Sequence, residues 1–453
     1  MQVWFQAEHA GSSSGSGGLF NPLRGNAAGL LPSPPQNAVV AALGQLSPRR
    51  LAQLNDKART AFLRSVASFF VQKLGRSSAA RVLELSEGGL LALLCLCEAS
   101  PVPRGLRKPG KRLRRLLAAS QEFRRLRGRD PGLTFVCTGG GRDVGQVMME
   151  ELWKQRGLRR RLCTGAPNLE LKRSSWQPRP GTMDAVIAEP FDSSVEDREC
   201  DLQLWQHWAQ VEDLRRCLTT AVGRPALVWP RRFRVRAALV SCEGLWKRRQ
   251  PLTGRLIGGV DVSCMDPLAS HKFFAWSEEN RTIDGSAARF PCELWQQEHA
   301  LLLRAPEEAC VLCEVEVCEA LTKRTWPTQR LQLPEELLRA GQCRAVPHAI
   351  ATWTEIAAPE QGEPGLSGTW WSTARFIDLG AQGGLRFAVG PSKQGVLLAR
   401  SPLLASDTLP SKKRQRGAGE SEATARSLEV AATFDPGAGE LRLRASWSNG
   451  SDF

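Results

Sequence analysis

Tyrosine is absent from all 453 residues, although 14 tryptophans and 16 phenylalanines are present. No phenol can therefore act as acid, base or nucleophile in any chemistry this chain performs. Also missing is a run of about 18 apolar residues, the length a membrane-spanning helix needs, so no membrane span is expected. The first twenty residues are rich in Gly and Ser and lack the basic and apolar pattern of a secretory leader. The 13 cysteines are accordingly expected as reduced thiols. A wholly disordered chain is excluded by its 42% apolar composition, and the length leaves room for two or three domains.

What the chain has in excess is positive charge, formally +15. Residues 101–130 hold eleven Lys and Arg against Glu122 and Asp130, a surplus of nine and over half of the total. Leu113, Leu116, Leu117 and Phe123 give this stretch the pattern of a basic amphipathic helix. Such a helix could meet RNA, an acidic partner, or only water.

Residues 1–40, rich in Gly, Ser, Pro and Asn without periodicity, are expected as a flexible lead-in. Within 41–75, Leu51, Leu54, Ala58, Phe62, Val66 and Phe69/Phe70 recur at three- and four-residue steps, predicting one or two amphipathic helices. Residues 76–230 alternate strands and helices. Arg81 to Leu85 is a strand, Ser86 to Gly89 a turn, and Leu90 to Cys97 a helix start. After the basic insertion, Leu133 to Thr138 is a strand, Gly139 to Gly141 a turn and Asp143 to Arg156 a helix. Leu162 to Thr164, Met183 to Phe191 and Ala226 to Trp229 are further strands, with a helix over Leu202 to Val222. This alternation predicts a parallel, Rossmann-like sheet. No Lys-Ser/Thr follows the triple glycine, so it is not a P-loop, and its spacing is not GxGxxG.

Beyond Pro230 the style is β. Arg234 to Cys242, Cys310 to Cys318, Ala349 to Ile356, Arg375 to Leu379, Gln394 to Ala399, Ser427 to Phe434 and Leu441 to Trp447 are short alternating runs, predicting an antiparallel sandwich or barrel over 231–453. Residues 406–420 form a polar insertion whose Lys412 to Arg416 resembles a nuclear import patch, or is a solvated hairpin tip. Cys310, Cys313 and Cys318 have metal-like spacing. A strand would turn them to opposite faces, so no metal site is expected there.

Within this frame the stretch Met183 to Phe191 carries the best site candidate. Ala185 to Ala188 are apolar on successive positions, as in a strand covered on both faces, and Glu189 follows at its carboxyl end. Ligands of open α/β sheets bind beyond the carboxyl ends of strands.

Helices, a Rossmann-like half and a β half, in this order, resemble the protein arginine methyltransferase family, and particular residues are similar too. LNDKART at Leu54 to Thr60 resembles the helix signature in which an arginine holds the carboxylate of S-adenosylmethionine; Arg59 falls on it. RVLELSEGGLLALL resembles the glycine-rich cofactor motif, placing Ser86, Gly88 and Gly89 at the cofactor. AEPF resembles the strand-four acid, and CEGLWKRRQP with GGVDVSCMDP resembles the start of the family's barrel. The likeness runs from about residue 50 to the C-terminus and is strongest between Met183 and Pro267. It is closest to the second, degenerate module of the family's tandem-module, type III member seven.

The departures concern chemistry. Glu87 brings negative charge to the glycine motif, and the acid that holds the ribose hydroxyls is missing where Cys137, Thr138 and Gly139 stand. Active modules grip the substrate guanidinium with two glutamates nine residues apart. Glu189 fits the first, but Arg198 stands at the second, with Glu196 and Glu199 out of register. The Thr-His-Trp signature appears as Thr369-Trp370-Trp371. A guanidinium presents a planar fork of donors and needs two carboxylates to hold and polarise it. The resemblance therefore implies a pseudoenzyme or scaffold partner of an active arginine methyltransferase, in the cytoplasm, the nucleus or both, with S-adenosylmethionine bound weakly or not at all. The alternatives are an active methyltransferase acting on arginine-containing proteins through Glu189 with Glu199 or Glu196, and an RNA-binding protein using residues 101–130.

The family pairs its modules through an arm inserted in the barrel, which corresponds here to residues 266–280. Phe273, Phe274 and Trp276 on so short a segment predict an exposed patch that joins two copies or docks an active module, since each large aromatic buries about 150–250 Å² when covered. Sedimentation at tens of micromolar should show a dimer that Phe273→Asp/Trp276→Asp dissociates. A strictly monomeric wild type that captures no methyltransferase would end this idea.

Overall fold

The computed structural model describes residues 56–74, 80–85, 91, 94–95, 134–139, 168–173, 178–189, 202–218, 225–249, 256–262, 287–297, 299–332, 346–359, 370–379, 384–389, 393–399, 427–437 and 439–447. Outside them lie the lead-in, the basic segment 101–130, the arm 266–280, the insertion 406–420, and Ser86, Gly88, Gly89, Glu196 and Glu199.

The chain enters through helix α1, Lys57–Leu74. Asp56 caps it: its carboxylate accepts the backbone N–H of Arg59 at 3.1 Å and its carbonyl that of Thr60 at 2.9 Å. Leu63, Val66, Ala67, Phe70 and Leu74 recur at helical steps and are all buried, so one face of α1 is continuous with the core.

Five parallel strands follow: β1 (Arg81–Glu84), β2 (Thr134–Gly139), β3 (Asn168–Arg173), β4 (Ala185–Ile187) and β5 (Leu227–Trp229), in the order β3-β2-β1-β4-β5. Successive strands are added to one side of β1 and then to the other, so the carboxyl ends of β1 and β4 form the switch point of the sheet. Alternate residues serve opposite faces. Val82, Ala185 and Ile187 join the main core, while Leu83, Val136 and Val186 pack with Met183 on the other side. That two-sided burial is why β4 reads as an unbroken apolar run.

Three boundaries in this half differ from expectation by more than one residue. The strand predicted over Met183 to Phe191 is confined to Ala185–Ile187. Asp184 before it still bonds both neighbours, its N–H donating to the Arg81 carbonyl at 2.8 Å and its carbonyl accepting the Leu227 N–H at 2.9 Å, while its carboxylate accepts the Arg81 N–H at 2.8 Å. The third strand falls at Asn168–Arg173, later than Leu162 to Thr164, which lie outside the described residues. The helix expected over Leu202 to Val222, here α2, spans Leu202–Asp213 and tightens into a 3-10 turn at Arg215–Cys217.

The β half opens with β6 (Arg232–Ser241), directly after β5. It pairs antiparallel with Ala349–Ala357 on one side and with Cys310–Glu316 and Leu301–Leu302 on the other, at the centre of a nine-stranded sheet. A second antiparallel sheet contains the long hairpin Ser427–Asp435 and Glu440–Trp447. Phe233 and Val235 of β6 share one core with Leu428, Val430 and Phe434 of that hairpin, and with Leu63 and Phe70 of α1 and Trp229 of β5. The two halves are thus welded by a single apolar cluster. Each fully buried Leu or Phe in it contributes about 1.5–3 kcal/mol.

Helix α2 sits at this weld. Trp208 donates its indole N–H to the Glu319 carbonyl at 2.8 Å and stacks on Phe434 with centroids 5.6 Å apart. Its neighbour His207 is buried and donates Nε2–H to the carbonyl of Pro230 at 3.0 Å, across the junction of β5 and β6. Burial pushes the His207 imidazole down from 6.5 to about 4, the Pro230 carbonyl offsetting part of that. With the folded pKa below the unfolded one, only the unfolded chain gains a proton as pH falls through 6.5 toward 4, and stability is lost in that window. Urea titrations should give a drop of about 2 kcal/mol between pH 7 and pH 5 from this residue, one that His207→Gln removes. Equal acid sensitivity in the two proteins would refute it.

Candidate active site

Glu189 stands two residues beyond β4, and its side chain ion-pairs with the guanidinium of Arg59 from the first turn of α1. Both residues are buried, at 3% and 0% exposure. The resemblance assigned Arg59 to a cofactor carboxylate and Glu189 to a substrate guanidinium. In the folded chain each instead meets the other, and the two expected roles converge on one contact.

Several elements hold this contact in place. The backbone of Ala188 donates to the Trp229 carbonyl at 2.9 Å, and that of Leu85 to the Ile187 carbonyl at 2.9 Å, so the segment carrying Glu189 is tied to both neighbouring strands. Glu84, in register with Ile187, ends β1 with a second fully buried carboxyl side chain at the switch point. Nothing in the pattern RVLEL distinguished Glu84 from a surface glutamate, and only its place beside β4 brings it to the site.

On the side of the β half, Trp370 and Trp371 begin the strand Trp370–Ser372. The two rings are spent differently. Trp371 stacks on Phe62 of α1, centroids 5.2 Å apart and planes within 7°, while Phe62 also leans on Trp229 at 5.9 Å. Trp370 is covered by the Arg234 guanidinium, 4.2 Å from the ring centre, and Arg234 is held by Glu355 at 2.6 Å. At the position where the family signature has a histidine there is an indole beneath an arginine. It offers no base and no acceptor.

One turn before Arg59, the free carboxylate oxygen of Asp56 pairs with Arg375, from the strand Arg375–Asp378. Burial alone would raise the Asp56 carboxyl, but the Arg375 guanidinium and the backbone N–H groups of Arg59 and Ala58 outweigh it and hold the group below its ordinary value. Asp56 lay within LNDKART with no role of its own assigned from the sequence. Arg375 carried no signal, being 319 residues away.

No family model matches this chain, and no curated protein does. Several solved structures match it along most of its length. These are arginine methyltransferases. The PRMT1 enzyme-prozyme heterotetrameric complex of Trypanosoma brucei with AdoHcy is 12% identical over 89% of this chain and 95% of its own, with a TM-score of 0.46. Arabidopsis thaliana protein arginine methyltransferase 10, in an open conformation, is 11% identical over 91% and 97%, with a TM-score of 0.48. PRMT6 is 13% identical over 91% and 99%, with a TM-score of 0.39. At these values the likeness assigns no activity and no residue role.

The buried pair makes its own prediction. Removing one partner strands the other charge away from water, so Glu189→Ala should lower unfolding free energy by about 3–5 kcal/mol. Replacing both, in Arg59→Met/Glu189→Leu, should recover most of that loss. Urea denaturation of the single and double variants checks it, and equal losses in both would show that the pair is not the source.

Proposed function

We propose that this chain is a protein arginine methyltransferase-like module whose catalytic site is degenerate, acting as a binding or scaffold partner of an active methyltransferase. The finer likeness, to the second module of a tandem member of the family, belongs to the same reading. The observation that carries it is the buried Arg59–Glu189 pair. Methyl transfer to arginine needs a carboxylate offered to a substrate guanidinium beside a bound sulfonium. Here Glu189 already holds a guanidinium of its own chain, with Trp370 in place of the signature histidine. Misplacement of about 1 Å at a transfer centre costs about a hundredfold in rate, so an occupied acceptor is a severe handicap.

If S-adenosylmethionine binds, Arg59 is the group suited to its carboxylate, and Ser86, Gly88 and Gly89, which follow β1 in the sequence, are the further cofactor residues that the resemblance implies. The cofactor would supply an electrophilic methyl group. An active enzyme using Glu189 with Glu199 or Glu196 is the competing reading; for either version the proposed location is the cytoplasm, the nucleus or both, the import-like run Lys412 to Arg416 being the sequence feature in favour of the nucleus.

Calorimetric titration with S-adenosylmethionine separates the two. The degenerate reading expects no saturable heat, or a dissociation constant above about 1 mM, a binding free energy of about 4 kcal/mol or less. A micromolar constant that Arg59→Ala abolishes would establish the active site instead.

A further inference from the structure

From the way α1 is anchored, we infer that Arg375 is a positioning residue: through Asp56 it sets the axial register of α1 and so delivers Arg59 to Glu189. The apolar face of α1 does not set that register by itself. Shifted by four residues, Leu63, Val66, Ala67 and Phe70 would be replaced by Ala67, Phe70, Val71 and Leu74, every one of them apolar. Over these four positions the hydrophobic pattern tolerates a slide of about 6 Å along the helix axis, and it resists one only at the far end, where Lys73 would replace buried Phe69 and Ser78 buried Leu74. The polar groups do not tolerate it. The same shift would put Thr60 where Asp56 meets Arg375 and Leu63 where Arg59 meets Glu189.

Asp56 is suited to this role because its two oxygens face two partners. Oδ1 takes the Arg59 backbone N–H at 3.1 Å, which fixes the start of the helix, while Oδ2 takes the Arg375 side chain. The Asp56 side chain is 9% exposed and that of Arg375 35%, so the pair is more sheltered than an ordinary surface ion pair. Arg375 lies on the strand Arg375–Asp378, which closes one end of the nine-stranded sheet. The anchor of α1 is therefore in the β half, while its cargo, Arg59, is at the switch point of the parallel sheet. Phe62, between Trp371 and Trp229, bridges the two halves one turn further on. The site of Glu189 is assembled only when the β half holds α1.

This inference takes the location of the site from the reading above, but its test needs no ligand, so a failed cofactor titration leaves it standing. Hydrogen exchange on the full chain should show the Arg59 and Thr60 amides exchanging about tenfold faster in Arg375→Ala. Asp56→Ser separates tether from cap, since serine is as good an N-cap but offers no charge. It should match Arg375→Ala, and Arg375→Lys should restore most of the protection. The ion pair of Arg375 is with Asp56, yet Arg375→Ala should make Glu189→Gln less damaging, so that the two drops in thermal midpoint fall short of adding. Unchanged exchange in Arg375→Ala, a silent Asp56→Ser, or strictly additive midpoints would each overturn the assignment.

Discussion

A charge pair sealed from water constrains everything around it. Arg59 and Glu189 could not both be buried singly, because an ionised side chain in an apolar interior loses several kcal/mol of hydration that only a close partner returns. Their meeting therefore dictates where α1 must lie relative to β4. It also dictates that the segment after β4 be rigid, which the backbone bonds from Ala188 to β5 and from Leu85 to β4 provide. A well-packed apolar pair of similar volume would hold the fold about as well. Stability alone is therefore a poor account of these two residues, and geometry is a better one.

The geometry belongs to both halves of the molecule at once. Helix α1 contributes Leu63, Val66 and Phe70 to a core that also takes in β1, β4, β5, β6 and the hairpin Ser427–Asp435 to Glu440–Trp447. Among the described residues, buried apolar side chains of the parallel sheet and of the antiparallel ones fall in that one cluster. Trp208 and His207 of α2 repeat the arrangement at the other crossing, one docking on the β half and the other on the strand junction. A change in the β half has packed side chains through which to reach the switch point.

How much of this was readable from the sequence depended on range. The parallel sheet was legible because β4 is buried on both faces and stands out as an apolar run, with the shorter apolar pairs Val82-Leu83 of β1 and Val228-Trp229 of β5 beside it, and Glu189 could be placed at a strand end from its run alone. The third strand was not, since Asn168 to Arg173 alternates polar and apolar residues as an edge strand does, and an apolar run was the signal sought. Two-residue strands such as Leu301–Leu302 have no periodicity to detect and are created by their neighbours. The site was half legible. Arg59 and Glu189 were each singled out for separate ligands, but their pairing, like that of Asp56 with Arg375, joins residues too far apart in sequence for any local pattern to carry it.

The closure of the site on itself determines what could open it. A ligand bringing only an anion would satisfy Arg59 and leave Glu189 buried without a countercharge, and one bringing only a cation would do the reverse. Either exchange trades one buried pair for another and adds a stranded charge, which costs about 3–5 kcal/mol. A ligand presenting a carboxylate and a cation together, as the amino-acid end of a sulfonium cofactor does, could satisfy both partners in one step. So could an anionic and a cationic ligand arriving as a set. On the reading proposed above, the pair would act as a filter against half-matched ligands. The depth of the filter is set by how firmly α1 holds Arg59 in place.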